Sequence, residues 1–514
     1  MISLKHGAAC ALALGAFVAL QPDSAAAAPP ESIVIVLPEE PQSLELCESG
    51  TSIRRVTQRN VGEPLIFRDP ATQALNPGLA TGWERIDDTT WHFTLRDGVT
   101  FHNGEVFDAA AAADSLNRTW TTELACGVNQ QYFQGNSYAA TALDEKTLEV
   151  TTETLDAILP LRLSFLAISA PATSDTEKSV DPIGTGPYQL GEWVRGERIT
   201  LEKFANYWGD NPGVETVEYQ WRQESAIRAA MVQTGEADVA LAIAAQDVLP
   251  EDWESGRAVN FELPGVALLR FDMVDPLQPI NDIRVRRAIN MAIDRQGFID
   301  VVFNGLGSPA NQAFVPTTIG YDDTVPAWEY DPEGARQLID EARADGVAVD
   351  TEIVIYGRLG VYENATEGME LIAALLNEAG LNVRVEMLAL QAWLGILRSS
   401  YEDGRPTNMM QQSHENPTGD AVFTFTPQYT ATGPFSALRD DRLNEMVEAA
   451  RPLSGEERAA ALEAISHYLY TEVVPDAPIA VVTSTMMLSG AVDYTPNAMS
   501  FEEIIVSEIG AAAN

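Results

Sequence analysis

The sequence predicts a mixed α/β protein built from more than one domain. Three observations lead there. The chain has 514 residues, 46% of them hydrophobic; that is too long for one core and points to two or three domains. Stretches with strand character recur, alternating as in Trp91–Leu95 or continuously apolar as in Ile33–Leu37. Between them lie segments with helical spacing of apolar residues, such as Val285, Ala288, Ile289, Ala292 and Ile293.

The N-terminus has the pattern of a cleavable secretion signal over residues 1–28. Lys5 and His6 precede the apolar stretch Ala8–Leu20, which is too short to span a bilayer. Pro22-Asp23-Ser24 breaks it, and Ala25–Ala28 supply small residues for cleavage. No later stretch is long and apolar enough to span, so a soluble mature chain is expected. A lipid-anchored precursor carries its cysteine after the apolar stretch, whereas Cys10 lies before most of it; a free periplasmic protein is therefore favoured. Removing the signal leaves Cys47 and Cys126. In an oxidising compartment this pair permits one disulfide, or else two buried thiols.

The formal net charge is -43. Nucleic-acid binding needs basic faces and is excluded. The charge reads first as a strongly solvated surface, and second as a field that favours cationic solutes.

Taken in order, Ile33–Leu37 reads as a buried strand and Trp91–Leu95 as a half-buried one. Arg96-Asp97-Gly98 forms a turn, Val99–His102 a short strand, and Asn103-Gly104 a second turn. Asp108 is placed to cap a helix from about 109 to 120. Cys126–Gln134 is polar and aromatic and reads as a loop. A strand over 147–151 and a helix over 157–165 follow. Gly184 and Gly186 permit a sharp turn before a strand at Tyr188–Val194. Ser225–Thr234 is an amphipathic helix. Gly265–Phe271, after Pro264, is an interdomain crossing. Asn281 or Asp282 caps the next helix, Asp331-Pro332 starts another, and Gly380 ends a helix over 367–379. A further helix covers 390–398. Ser454-Gly455-Glu456-Glu457 has the form of a capping box for a helix to about Tyr470. Pro475 and Pro478 mark a turn back toward the N-terminal domain.

Three of these stretches also carry a family likeness: Leu79–Arg118 with its Trp91-His92-Phe93-Thr94-Leu95-Arg96-Asp97-Gly98-Val99 core, the Gly184-Thr185-Gly186-Pro187-Tyr188 string, and Asn281–Arg295 around Arg284-Val285-Arg286-Arg287-Ala288. In this order and spacing they resemble the extracytoplasmic solute-binding proteins of family 5, the receptors of ABC importers for peptides, nickel and related solutes. The resemblance implies a two-lobed periplasmic-binding-protein fold of three domains around a hinge: a discontinuous domain I from 29–70, 183–264 and 478–514, domain II from 71–182, and domain III from 265–477. It implies a helix over Ser52–Asn60. It also implies a monomeric receptor that carries no cofactor, contains no ATP site, closes on a small solute, and delivers it to a permease driven by ATPase subunits.

The site residues follow from the same likeness. Pro38–Glu45 matches the segment that pairs with the ligand backbone in oligopeptide receptors, which singles out Glu40 and Gln42. Arg358 stands where dipeptide-type members place a carboxylate-binding arginine, and a planar guanidinium suits that task. In Met409–Phe425 the chain departs from the pattern. Gln411 and Gln412 stand in place of a tryptophan, and Asn416-Pro417 in place of Asp-Pro; Asp420 or Glu415 is left to supply the charge for an amino group. Gln412, His414, Asn416 and Asp420 form an alternative polar group for a non-peptide solute such as an opine, sugar or metal chelate. Trp393 offers either a stacking surface or core packing.

No catalytic arrangement is present: neither a Gly-x-Ser-x-Gly elbow nor a His-Glu-x-x-His helix occurs. Five histidines leave little for a metal cage. His92 and His102 read as structural. A solute receptor is thus expected rather than an enzyme, with a periplasmic chaperone or sensor of the same fold as the rival.

Overall fold

A computed structural model describes residues 30–511 apart from 49–50, 70–71, 122–123, 134, 211, 249–252, 254–255, 275–277, 363, 399–408 and 497–502. The signal segment expected over 1–28 lies outside these residues.

The centre of the molecule is a pair of long antiparallel strands, Gly256–Phe271 and Asp476–Ser489. They join two halves of a ten-stranded sheet. On one side the sheet continues through Val239–Ala240, Ser32–Leu37 and Thr216–Trp221, which run parallel, and then through the antiparallel pair Arg198–Lys203 and Tyr188–Val194. On the other side, Met409–Glu415 pairs antiparallel with the long strand and parallel with Glu352–Arg358, beside which lies Asn382–Leu388. The long strand Gly256–Phe271 runs unbroken through Pro264, because its register shifts between Glu262 and Val266. A bulge is where a strand tolerates a residue without an N–H. The Pro264 carbonyl is still used, accepting from the Asn416 amide at 2.8 Å.

Each half has its own core. Ile33, Ile35, Leu37, Tyr188, Val217 and Tyr219 fill the first, and Leu269, Phe271, Ile289, Phe298, Ile353 and Ile372 the second. A separate four-stranded antiparallel sheet takes Ala80–Arg85, Thr90–Leu95, Thr147–Thr152 and Tyr138–Ala142. The helix Ala109–Thr121 packs on it, with Leu116 buried against the cluster that holds Phe93, Leu148 and Val150. Asp108 Oδ1 accepts from the Ala111 amide at 2.9 Å, so the expected cap forms.

Several local readings need correction. Val99–His102 contributes only an isolated bridge between Thr100 and Val106. Cys126–Gln134 contains the helix Gly127–Tyr132, because the Cys47–Cys126 disulfide and a hydrogen bond from Val128 N to Cys47 O anchor its start. Ser454 makes no side-chain cap; the helix Gly455–Tyr468 is entered through Gly455 at φ 57°. Gly184 and Gly186 serve close approach rather than a turn: a Cβ at either would lie 2.1 Å from Val61 O or 2.4 Å from Asn60 O. Arg286 is buried and donates to the carbonyls of Val473, Ile280 and Asn281, bracing the backbone there.

Candidate functional site

In open α/β sheets, ligands bind beyond the carboxyl ends of parallel strands. Here those ends come from both halves of the sheet. After Thr216–Trp221 comes Gln223, after Val239–Ala240 come Ala242–Ala245, and after Glu352–Arg358 comes Tyr362. All of these line one cavity of about 610 Å³, floored by Val482–Thr485 of the long strand. A second cavity, of about 110 Å³, is lined by Arg358, Trp393, Gln412, His414, Gln428 and Phe435, among others. Gln411 lines the smaller cavity and reaches Tyr362 of the larger one. Its Oε1 accepts from the Arg358 amide at 2.8 Å, and its Nε2 donates to the Tyr362 hydroxyl at 2.7 Å.

Four expected site residues therefore meet at the smaller cavity: Arg358, Trp393, Gln412 and His414. Trp393 comes from the helix Leu390–Arg398 and packs on Met410. The Arg358 guanidinium lies 5.8 Å from the Trp393 ring centroid. Arg270 Nη1 donates to Gln428 Oε1 at 2.6 Å, which turns the Gln428 amide nitrogen toward His414 Nδ1 at 3.4 Å. His414 then carries its proton on Nε2 and donates to Thr424 Oγ1 at 2.9 Å. Burial, aided by the positive Arg270, lowers the His414 pKa to about 4, so the ring is neutral near pH 7.

Glu415 ends the strand Met409–Glu415. Its side chain is open to water, yet the surrounding protein desolvates it and raises its pKa; the positive Arg358 pulls it part of the way back. Burial lowers the pKa of Arg358 in turn, with Glu415 opposing.

The remaining candidates point elsewhere. Asn416, 2% exposed, donates to Asp420 O and Thr424 Oγ1 and accepts from Thr418 Oγ1. Asp420, 1% exposed, is held by Arg458. Both stabilise the loop that follows Glu415, and neither lines the cavity. Glu40 accepts from Trp193 Nε1 at 3.1 Å and Gly196 N at 3.2 Å, securing the hairpin of Tyr188–Val194 and Arg198–Lys203. The exposed Gln42 offers only its carbonyl, to Arg195 Nη1. The buried acid of this segment is Glu45, which accepts from Arg118 Nη1 and Nη2 at 3.0 and 2.9 Å and from Ser179 N and Cys47 N. Burial pushes its pKa up, but Arg118 and the two amides outweigh that and leave it lowered. Tyr362, Gln428 and Arg270 join the site without a sequence motif; only the alternation along strands could have suggested the last.

The described histidines are tied locally, His92 to Glu149 and His102 to Gly186 O. Among the described residues no group of His, Cys, Asp or Glu is arranged to hold a metal ion, and no helix is long and apolar enough to cross a membrane.

A crevice between two halves, lined by polar side chains, fits a solute-binding protein. The comparisons identify the family. Residues 74–436 match the family model for bacterial extracellular solute-binding proteins, family 5 (middle), and the chain belongs to that family. It is 26% identical over 407 residues to the dipeptide-binding protein of Escherichia coli K12, covering 74% of this chain and 75% of that one. It is 30% identical over 355 residues to the glutathione-binding protein GsiB of Salmonella paratyphi A, covering 66% of each. The fold matches that of HbpA2 from Haemophilus parasuis with a TM-score of 0.81, at 18% identity and covering 94% of this chain and all of the other. The fold is thus the two-lobed periplasmic-binding-protein type, and the family is made of receptors, not enzymes.

Proposed function

We propose that this protein captures a peptide or peptide-like, amino-acid-derived solute between its lobes and delivers it to the permease of an ABC importer. The carrying observation is the pair of opposite charges at the carboxyl ends of neighbouring parallel strands, Arg358 and Glu415. A zwitterionic solute satisfies both: its carboxylate meets the guanidinium and its ammonium meets Glu415. The names of the dipeptide- and glutathione-binding relatives support a ligand of this class.

The mechanism rests on the long strands. We take Gly256–Phe271 and Asp476–Ser489 as the hinge between domain III and the lobe of domains I and II, with the boundaries given above. A solute that touches both lobes binds the closed form better and shifts the population toward it. We place the protein free in the periplasm after removal of residues 1–28.

Isothermal calorimetry with solutes identified by native mass spectrometry tests the reading. Arg358→Ala and Glu415→Gln should each weaken binding by roughly tenfold or more, the worth of a charge-assisted hydrogen bond. Unchanged affinity in both variants would refute the charge-pair reading.

A further inference from the structure

A third cavity, of about 350 Å³, lies between residues 131–162 and residues 422–458. One wall carries Tyr132, Tyr138 and Ile158, the other Phe423 and Pro427. Ile158 and Phe423 each pack against the cores on both sides, so the two walls already meet at one end. The helix Val422–Tyr429 separates this space from the cavity beside Arg358. Phe423 and Thr426 line the one and Gln428 the other, and among the described residues the two cavities share no lining residue.

The lining has hydrogen-bond donors to spare. Its charged residues among those described are Arg162, Arg451, Arg458 and Asp156. Asp156 accepts from Arg162 Nε at 2.8 Å, from the Tyr138 hydroxyl at 2.9 Å and from the Ile158 amide at 3.2 Å. Arg458 is taken up by Asp420. Arg162 Nη1 donates to Tyr132 O, but among the described residues Nη2 has no acceptor, and the side chain is 17% exposed. Arg451, at the rim, meets Glu448 through Nε at 3.1 Å, and among the described residues its two terminal nitrogens have no acceptor.

Size, shape and charge narrow the occupant. A space of several hundred Å³ with apolar walls and a few polar groups is the usual form of a small-molecule site. At roughly 30 Å³ for each water-sized group, it takes about eleven or twelve non-hydrogen atoms. Rings on both walls gain from facing another ring, and an alkyl chain forgoes that gain. The remaining donors need an acceptor, and a guanidinium holds a carboxylate more strongly than a neutral oxygen. An ammonium would meet arginines.

We propose that this cavity is a second binding site, for an aryl carboxylate about the size of 3-phenylpropionate, and that its occupant favours the closed form by touching both sides. The site itself is independent of the solute bound beside Arg358; its effect on closure rests on the hinge reading above. A ligand that contacts both walls binds the closed form better and shifts the population toward it.

Calorimetry on the mature full-length protein tests the site with four probes: 3-phenylpropionate, 3-phenylpropanamide, hexanoate and 2-phenylethylamine. The aryl acid should bind about tenfold tighter than the amide or the alkyl acid, and the amine should not bind. Equal binding of all four, or binding of none, overturns the site. Thr426→Trp, which fills the cavity, should abolish binding of the aryl acid, whereas Arg358→Ala should leave it unchanged. The reverse pattern places the acid beside Arg358 and overturns the proposal. The double variant Asp156→Asn, Arg162→Gln removes both charges of the pair together and should erase the advantage of acid over amide; an advantage that persists overturns the role of Arg162. Small-angle scattering tests the effect on closure. Saturating 3-phenylpropionate should reduce the radius of gyration of the parent protein but not of Thr426→Trp. A constant radius with Thr426-dependent binding refutes the coupling to closure and leaves the site standing.

Discussion

Arg458 grips Asp420 through two parallel hydrogen bonds inside the protein, Nε to Oδ2 at 2.7 Å and Nη2 to Oδ1 at 3.0 Å. The Val422 amide adds a third, to Oδ1 at 2.9 Å. The carboxylate therefore fixes the turn between Glu415 and the helix Val422–Tyr429 and has nothing left for a ligand. Asp420→Asn leaves a buried guanidinium without its counter-charge, which typically costs about 3–5 kcal/mol. Thermal and urea unfolding should show that loss. The double replacement Asp420→Leu, Arg458→Met should recover much of it, since no lone charge remains.

Glu415 behaves differently because water reaches it. Burial holds its pKa above the usual carboxylate range, and Arg358 offsets part of that. A bound ammonium would stabilise the ionised form and lower the pKa. The free protein then holds the proton at a higher pH than the complex does. Affinity should fall as pH drops through the raised pKa, by up to about tenfold per pH unit. Titration calorimetry in buffers of different ionisation heat should show proton uptake on release. In Glu415→Gln both the slope and the proton linkage should vanish.

Asp476 makes stability itself depend on pH. It is 1% exposed, and burial raises its pKa to about 7 even though the Tyr429 hydroxyl donates to it and Arg270 lies near. An unfolded aspartate titrates near 3.9. Between these values the folded state holds a proton that the unfolded state has lost, so stability falls as pH rises. The favourable contribution is complete below about pH 4 and gone by about pH 7, declining by at most about 1.4 kcal/mol per unit. Denaturant unfolding of parent and Asp476→Asn should give a stability difference that changes over this window and is flat above it.

Much of this architecture was legible because its signals are local. Asp108 precedes a run of alanines and forms its cap; Asp282 and Asp331 do the same for their helices. Arg358 was legible as a family position, Gln412 and His414 where the chain departs from the family pattern, and Trp393 from its helix, and the four converge on one cavity. What was not legible depends on contacts between distant residues. Nothing near Cys126 announces a helix until Cys47 is attached to it. Asp420 and Glu415 are both acids in one short stretch, and only Arg458, 38 residues further on, decides which of them turns inward. Gly184 and Gly186 look like turn residues, but the constraint on them is the backbone of Asn60 and Val61.

The Cys47–Cys126 bond, with Cα atoms 5.3 Å apart and a sequence separation of 79, ties the segment after the first strand to the helix Gly127–Tyr132. Closing a loop of this length restricts the unfolded chain and is worth about 4.5 kcal/mol on the chain-entropy model. The Cys47→Ser, Cys126→Ser double variant should unfold at a clearly lower temperature than the oxidised parent. Reduced parent protein should match the variant.

On the hinge reading proposed above, Arg68 would control closure without touching the solute. From the strand Ile66–Arg68 it donates through Nη1 to the carbonyl of Pro417, two residues beyond Glu415, and its guanidinium lies 5.4 Å from the Phe165 ring centroid. Arg162, paired with Asp156 at 2.8 Å, stands 4.8 Å from the ring centroid of Phe423 on the same far side. These contacts exist only while the Pro417–Phe423 loop lies against residues 66–165. Removing them lowers the closed fraction of the free protein, and apparent affinity falls in proportion to that fraction. Arg68→Ala combined with Arg162→Ala should therefore weaken solute binding by roughly tenfold and enlarge the radius of gyration of the free protein in small-angle scattering. Arg358→Ala should weaken binding with the radius unchanged. If the double variant loses affinity at constant radius, Arg68 and Arg162 act on the site itself and not on closure.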